Sequence, residues 1–247
     1  IGSTGPVDAL LGTFGNINFM PTWEGHDPVK ALGGEFNVHV AIENDADAAA
    51  LGEARWGAGL GKKRLVYVTV GTGIGVAIII DGKIYRGLDG AHPEIGHHVV
   101  EPSGPLCSCG AHGCWETLAA GPAMVSWVQS EAPDRFPLSA DLTAKEVCEL
   151  ATQGDAWACR AVKRHSRYLG IGLANVITFF VPDTIVLGGS MMNSLPLFID
   201  GIRGEIRERC CLVPATKVEL KAASLGKDAA LAGAASVWYH RFAQNGE

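Results

Sequence analysis

Hydrophobic positions along the chain follow two periods, one near two residues and one near 3.6, and the switch between them outlines the fold. The runs "RLVYVTV" (64–70) and "GVAIII" (75–80) are β-branched and read as strands joined by the glycine turn "GTGIG" (71–75). An Asp-Gly pair in "DGK" (81–83) supplies a hairpin turn before a third strand, so three antiparallel strands in succession are expected. Upstream, the first forty residues are rich in Gly, Pro and Asn and predict loops, with a strand over "NVHVAIEN" (37–44). The alanine-dense "DADAAALGEARWGAG" (45–59) then reads as a helix with an Asp near its cap and glycines to stop it. Asn44 and Asp45 therefore fall at a strand-to-helix junction. From 119 to about 180 the pattern is helical, broken by the polar linker "EAPDRFPLSADLT" (131–143), whose Ser, Asp and Thr suit caps. "TIVLGGSM" (184–191) is a buried strand running into a glycine turn, "KVELKAAS" (217–224) is another strand, and "DAALAGAASVWYHRF" (228–242) is a closing helix. Three antiparallel strands followed by alternating helices and strands predict α/β layers.

Composition narrows the classes. A chain of 247 residues, 47% hydrophobic and 19% charged, is long enough for one large or two modest domains and is not a disordered composition. Twenty Lys and Arg against 26 Asp and Glu leave a net charge of -6, with no run of like charge forming a basic stripe. Nucleic acid and membrane surface are accordingly not expected as partners. The longest uncharged stretch, residues 168–182, is shorter than the roughly 20 residues that cross a bilayer and reads as a buried helix. Seven cysteines, three of them crowded together, fit a reducing, cytoplasmic setting better than a disulfide framework. The chain opens "IGSTGPVDALLG", without an initiator Met, and is expected to begin inside a domain.

The crowded cysteines are the first sign of chemistry. In "HHVVEPSGPLCSCGAHGCWE" (97–116), His97, Cys107, Cys109 and Cys114 offer the Cys₃His donor set of a closed tetrahedral zinc site. Thiolates held so close repel one another unless a cation neutralises them. Spacing leaves the histidine open, because His92, His98 and His112 are also within reach. Glu94 and Glu116 flank the cluster, and a pinned loop would fix both carboxylates on the rim of one pocket. Asp45, at a strand end and a helix start, sits where α/β folds place catalytic groups or simple caps. The amides of Gly71, Thr72 and Gly73 could cradle phosphate oxygens, although the turn lacks the Lys and following helix of a P-loop. The "GGS" bend (188–190) after a strand offers a second, weaker candidate of the same kind.

With "ENDADAAALGE", "TVGTGIGVAIIIDGKIYRG", "PEIGHHVV", "CSCGAHGCWE", "TIVLGGS" and "LGKDAALAGAA" in this order, the chain resembles the ROK family of sugar kinases and related repressors over nearly its whole length. The resemblance implies the two-lobed ATPase fold of actin and hexokinase, with ribonuclease H-like lobes and a first lobe that is incomplete. Residues 1–58 would then be the remainder of the N-terminal lobe, 59–225 the C-terminal lobe with its zinc loop at 97–114, and 226–247 a helix packing back toward the first lobe. It implies Asp45 as the base for a sugar hydroxyl, with Asn44, Glu94, His97 and Glu116 on the other hydroxyls and Asn18 and Gly5 lining the pocket. His97 would also join Cys107, Cys109 and Cys114 on a structural zinc. Gly71, Thr72, Gly73 and Gly75 match the family's second phosphate loop, and Gly188 with Gly189 the turn beside adenosine. The substrates implied are a hexose and Mg²⁺-bound ATP, with a homodimer possible. The chain departs from the family in two places: the N-terminal strands with their Asp-x-Gly-Gly-Thr loop have no counterpart, and Pro93 stands where many members carry glycine.

Overall fold

The computed structural model describes residues 1–15 and 21–243. Near the N-terminus β1 (Gly2–Ser3) precedes the small antiparallel pair β2 (Val7–Asp8) and β3 (Thr13–Phe14). A helix, α1 (Pro28–Phe36), occupies a stretch expected to be loop. Its start is fixed by Asp27, whose carboxylate accepts the Lys30 amide at 2.8 Å, and by Pro28 at the first helical position; Gly33 and Gly34 conceal it from propensity. Asn37, at a φ of 50°, ends it in a left-handed turn. The strand expected over 37–44 shrinks to β4 (Glu43–Asn44), because β1, its parallel partner, is only two residues long.

The predicted helix follows at once as α2 (Asp45–Trp56), closing at Gly57 rather than 59. A central sheet then begins with β5 (Arg64–Val70), β6 (Ile74–Ile80) and β7 (Lys83–Ile84), the three antiparallel strands anticipated. Helical structure opens at α3 (Trp115–Ala119) and continues through α4 (Gly121–Glu131), α5 (Ala144–Thr152) and α6 (Ala156–Phe180). Thr143 and Glu146 form a reciprocal capping box at the head of α5. β8 (Thr184–Gly188), α7 (Leu195–Arg209), β9 (Glu219–Ala222) and α8 (Ala229–Trp238) complete the chain. In space the strands run β7-β6-β5-β8-β9, with β8 parallel to both β5 and β9.

Alternation along β5 divides the core in two. Val66, Val68 and Val70 face Trp115, Met124, Leu169, Leu173 and Phe198 of the helices on one side. Leu65 and Tyr67 face Ala46, Ala49, Ala50 and Leu51 of α2 and Ala229 of α8 on the other. The result is an α/β/α sandwich, with each buried Leu, Val or Phe worth about 1.5–3 kcal/mol of transfer free energy. His165 is sealed inside the larger layer, 4.6 Å from the Phe198 ring, and burial pushes its pKa down to about 3. The imidazole is therefore neutral packing. Outside that layer, α6 gathers Arg160, Lys163, Arg164 and Arg167 along one groove beside Trp127, a grouping that the linear sequence disguises. Aromatic rings orient two of these guanidinium groups: Arg160 lies 4.2 Å from the Trp157 centroid and Arg164 lies 4.8 Å from that of Tyr168. No helix among the described residues is long and apolar enough to cross a membrane.

The smaller layer depends on two glycines. A Cβ on Gly233 of α8 would run into the Ala48 carbonyl, and one on Gly52 of α2 into the Ala229 carbonyl, so the two helices meet backbone to backbone. Gly233→Ala is expected to cost about 1–3 kcal/mol, read as a lower urea midpoint with an unchanged m-value. Gly34→Ala, on an open face of α1, should raise the midpoint slightly.

Candidate active site

The glycine turn between β5 and β6 is the point on which the candidate residues converge. Gly71 donates to the Gly73 carbonyl at 2.9 Å, and the Gly71 carbonyl accepts the Gly121 amide at 2.8 Å, which ties the turn to the head of α4. Glu116, in the first turn of α3, accepts the Ile74 amide at 2.8 Å. A side chain at Gly73 would strike that carboxylate, and one at Gly96 would strike the Ile74 carbonyl. A Cβ on Gly75 would lie 3.1 Å from Ala46 at the start of α2 and 2.9 Å from Thr69. The turn therefore sits in contact with α2, with the "IGH" segment and with α3, which only residues lacking a side chain permit.

Each neighbour brings a candidate. At the head of α2, Asn44 caps the helix: its Oδ1 accepts the Ala46 amide at 2.9 Å and the Asp47 amide at 3.3 Å, fixing the side chain while leaving its amide group for other partners. Asp45, next in line, is exposed to solvent at the positive end of the helix, with Oδ1 accepting the Ala46 amide at 2.8 Å. Ser3 pairs with Asn44, so Gly5, with a φ of 85°, lies two residues beyond the same strand end. Asn18 lies outside the described residues. Glu94 is exposed and directly precedes the short 3₁₀ turn Ile95–His97.

His97 and His98 lie at the end of that 3₁₀ turn and point to different partners. His97 Nδ1 is 3.4 Å from Cys107 Sγ. His98 turns away, its Nδ1 bound to the Ile95 carbonyl at 2.6 Å and its Nε2 3.2 Å from Asn175 of α6, with its ring edge against Trp115. His112 is exposed with Nδ1 3.2 Å from the Gly104 carbonyl, and His92 is engaged elsewhere. Among the described residues His97, Cys107, Cys109 and Cys114 form the one group able to hold a metal, with ligand atoms all within 4.8 Å of one another. The Cys109 and Cys114 sulfurs are 3.5 Å apart, close to the edge of about 3.8 Å expected of a tetrahedron with Zn–S bonds of roughly 2.3 Å. Burial and the neighbouring thiols push Cys114 up to about 12, whereas the Ala111 amide holds Cys109 below its usual value. The donor set fits zinc. Directly after it, the Trp115 indole donates to the Tyr168 carbonyl at 3.0 Å and lies where Gly172 of α6 has no side chain, which pins the loop and Glu116 to the core.

On its other side the turn opens on a cavity of about 740 Å³, lined by Gly71, Thr72, Gly121, Thr143, Lys145, Ser190 and Asn193 among others. Its volume lies in the range of small-ligand sites. Gly188 and Gly189 lead into Ser190 at its edge, and Gly189, with a φ of 87°, rests on the Val70 backbone where no side chain fits.

Two features here escaped the sequence reading. Tyr67, behind Gly188, has its hydroxyl pushed up to about 12 by burial, with the Glu53 carboxylate adding to the effect, and stays a neutral phenol. Beneath Asn44, Arg86 pairs with both Glu43 and Asp47, and His92 Nδ1 lies 2.8 Å from Asp47. An ionisable residue in the alanine run 46–50 was the available signal.

The arrangement has the fold of the actin and hexokinase-like ATPases. A family model described as the ROK family matches residues 1–241, and the chain belongs to that family. It is 34% identical over 238 residues to the xylose repressor of Bacillus spizizenii, covering 96% of this chain and 60% of the repressor. To the glucokinase of Streptomyces coelicolor it is 33% identical over 253 residues, 96% of this chain and 78% of the relative. The crystal structure of a ROK family glucokinase from Streptomyces griseus in complex with glucose and AMPPNP superposes with a TM-score of 0.84 at 33% identity, covering 96% of this chain and 80% of that one. The chain thus spans about 60% of the length of the xylose repressors of Bacillus spizizenii and Bacillus subtilis.

The metal site carries its own test. Purified protein is expected to release about one zinc per chain on thiol modification. Cys109→Ser should lose the metal and lower Tm by several degrees. Metal-free protein with unchanged Tm would remove the cluster's structural role.

Proposed function

We propose that the protein is an ATP-dependent sugar kinase that transfers the γ-phosphoryl group of magnesium-bound ATP to a hexose hydroxyl, the 6-hydroxyl of glucose or a close relative. The observation that carries the reading is the contact of the Gly71–Gly75 turn with both the Asp45-bearing helix head and Glu116. Phosphoryl transfer asks for alignment and charge neutralisation more than for covalent help, and that contact brings a phosphate-sized turn against a hydroxyl-binding surface.

In this reading the sugar lies against Asn44, Glu94, His97 and Glu116, with Gly5 at its edge. Asp45 accepts the proton as the sugar oxygen attacks the γ-phosphorus and the bond to the β-phosphate oxygen breaks, leaving ADP. An exposed carboxylate with one backbone partner is free to take that proton, and such general-base help contributes typically about 10²- to 10⁴-fold. The amides of Thr72 and Gly73 receive phosphate oxygens, Gly71, whose own amide is bound to the Gly73 carbonyl, and Gly75 shape the turn, and the cavity beyond Thr72, reached through Gly188 and Gly189, takes the nucleoside. Zinc held by His97, Cys107, Cys109 and Cys114 neutralises the thiolates and stiffens the loop that presents His97 and Glu116. We assign residues 1–58 to one lobe, 59–225 to the other, and the closing helix to the first.

A second reading has its own support: xylose repressors match as much of this chain as the kinases do, so the same pocket could serve to sense a sugar. Turnover separates the two. In an ADP-release assay over a panel of hexoses and acetylated hexosamines, run on the chain together with any natural residues upstream of Ile1, sugar-dependent turnover is expected. Asp45→Asn should cut kcat by about 10²-fold or more while sugar affinity changes little. Sugar binding without turnover in the parent protein would move the assignment to a sensor.

A further inference from the structure

Four charged side chains that the proposed chemistry does not use are buried together under the sugar-facing surface. Asp47 is fully buried, Glu43 and His92 nearly so, and Arg86 about three-quarters so. Arg86 bridges the two carboxylates, one on either side of Asn44 and Asp45. His92 Nδ1 meets Asp47 Oδ2 at 2.8 Å, the same oxygen that Arg86 takes, while Asp47 Oδ1 has no partner among the described residues. Glu43 Oε1 in turn accepts the Asn44 amide at 2.9 Å. Arg86 and His92 stand at the two ends of one segment, 86–92, whose continuation is Pro93 and Glu94.

That connectivity has a mechanical meaning. The segment 85–94 contains only the short 3₁₀ turn Leu88–Gly90, and Leu88 is 85% exposed, so burial gives it little hold. What joins it to α2 is the pair of ionic contacts on Asp47. Buried charges of this kind contribute little net stability over apolar replacements, but they are specific in geometry and costly to break singly. We propose that Asp47 is a positioning residue that latches the Glu94-bearing segment onto the Asn44–Asp45 junction through Arg86 and His92, and that this latch loosens when His92 gives up its proton. The proposal rests on the reading of that surface as the sugar site, but the latch itself is defined without the ligand.

The sign follows from the neighbours. Three charged groups act on His92: Asp47 from α2, Glu94 from its own segment, and Arg86 across the bridge; Glu43 of β4 acts through Arg86. Burial pushes the imidazole down, but the hydrogen bond and charge of Asp47, helped by Glu94, outweigh it together with Arg86 and leave it above its ordinary value of 6.5. For a group raised on folding, the contribution is complete below the unfolded value and is lost as pH rises through the folded one. The latch is therefore closed near pH 6 and opens on the alkaline side.

Hydrogen exchange of the 85–94 amides, corrected for intrinsic rates between about pH 6 and 9, reads this directly in the unliganded protein. Protection is expected to fall between about twofold and tenfold as pH rises, the lower part of the range of couplings within one network. In His92→Gln it should be low and pH-independent. The KM for glucose should rise over the same interval in the parent and stay flat in the variant, with the KM for ATP unaffected. Asp47→Asn should behave like His92→Gln; if it does not fold, His92→Gln decides alone. Protection that ignores pH, or that keeps its pH dependence in His92→Gln, overturns the latch. PH-linked protection without glucose binding keeps the latch and counts against the sugar-site reading.

Discussion

A carboxylate taken out of water must be met by donors, and three such carboxylates at and around α2 decide what that helix can touch. Glu43 and Asp47 bind Arg86, which brings in the segment after β7. Glu53, one turn before the end of the helix, accepts the Ala58 amide at 2.7 Å, the Leu225 amide at 2.8 Å and the Ser224 hydroxyl at 3.2 Å. One short helix thereby gathers the chain from β4, from the β7 segment and from the approach to α8. Its alanines let α8 and the sheet come close enough for those bonds to form. The charges set direction, and the small side chains allow proximity.

The glycine turn between β5 and β6 follows the same logic of exclusion. Gly73, Gly75 and Gly96 do not act by binding anything; each leaves space for a neighbour that does. Glu116 reaches the Ile74 amide through the space at Gly73, and it is held there because Trp115 is locked against α6. The cysteine cluster ends one residue before Trp115, so a metal held there would act through the position of α3 and of Glu116.

Much of this was legible in the sequence because the elements concerned are long or chemically loud. The hairpin β5–β6–β7 announced itself through β-branched runs and an Asp-Gly turn, and α6 through a helical apolar pattern that runs along its 25 residues. Cys107, Cys109 and Cys114 were legible as a group through their spacing, and the fold brings them together with His97. What stayed hidden was set by partners far away in the chain. The strand over 37–44 lost its ladder because pairing depends on β1, not on its own β-branched residues. The helix α1 was masked by Gly33 and Gly34, which propensity penalises and which a cap at Asp27 outweighs. The contacts of Asp47 with Arg86 and His92 left one faint sign, an ionisable residue within an alanine run, since all three look like ordinary solvated residues until a turn of helix and a loop bring them together.

The sheet order places β7, two residues long, at one margin and β9, four residues long, at the other. Glu219 on β9 is paired with Lys62 at 2.6 Å and with Lys221 of the same strand at 2.8 Å, so the margin is short and edged with ions. A strand from another molecule that docked there would have to strip those charges of water and partners for a ladder of only a few bonds. The apolar strands β6 and β8 lie one position inside these margins and β5 at the centre, so the segments best suited to cross-β assembly are all interior. Resistance to self-association through the sheet is thus supplied by its two least regular strands.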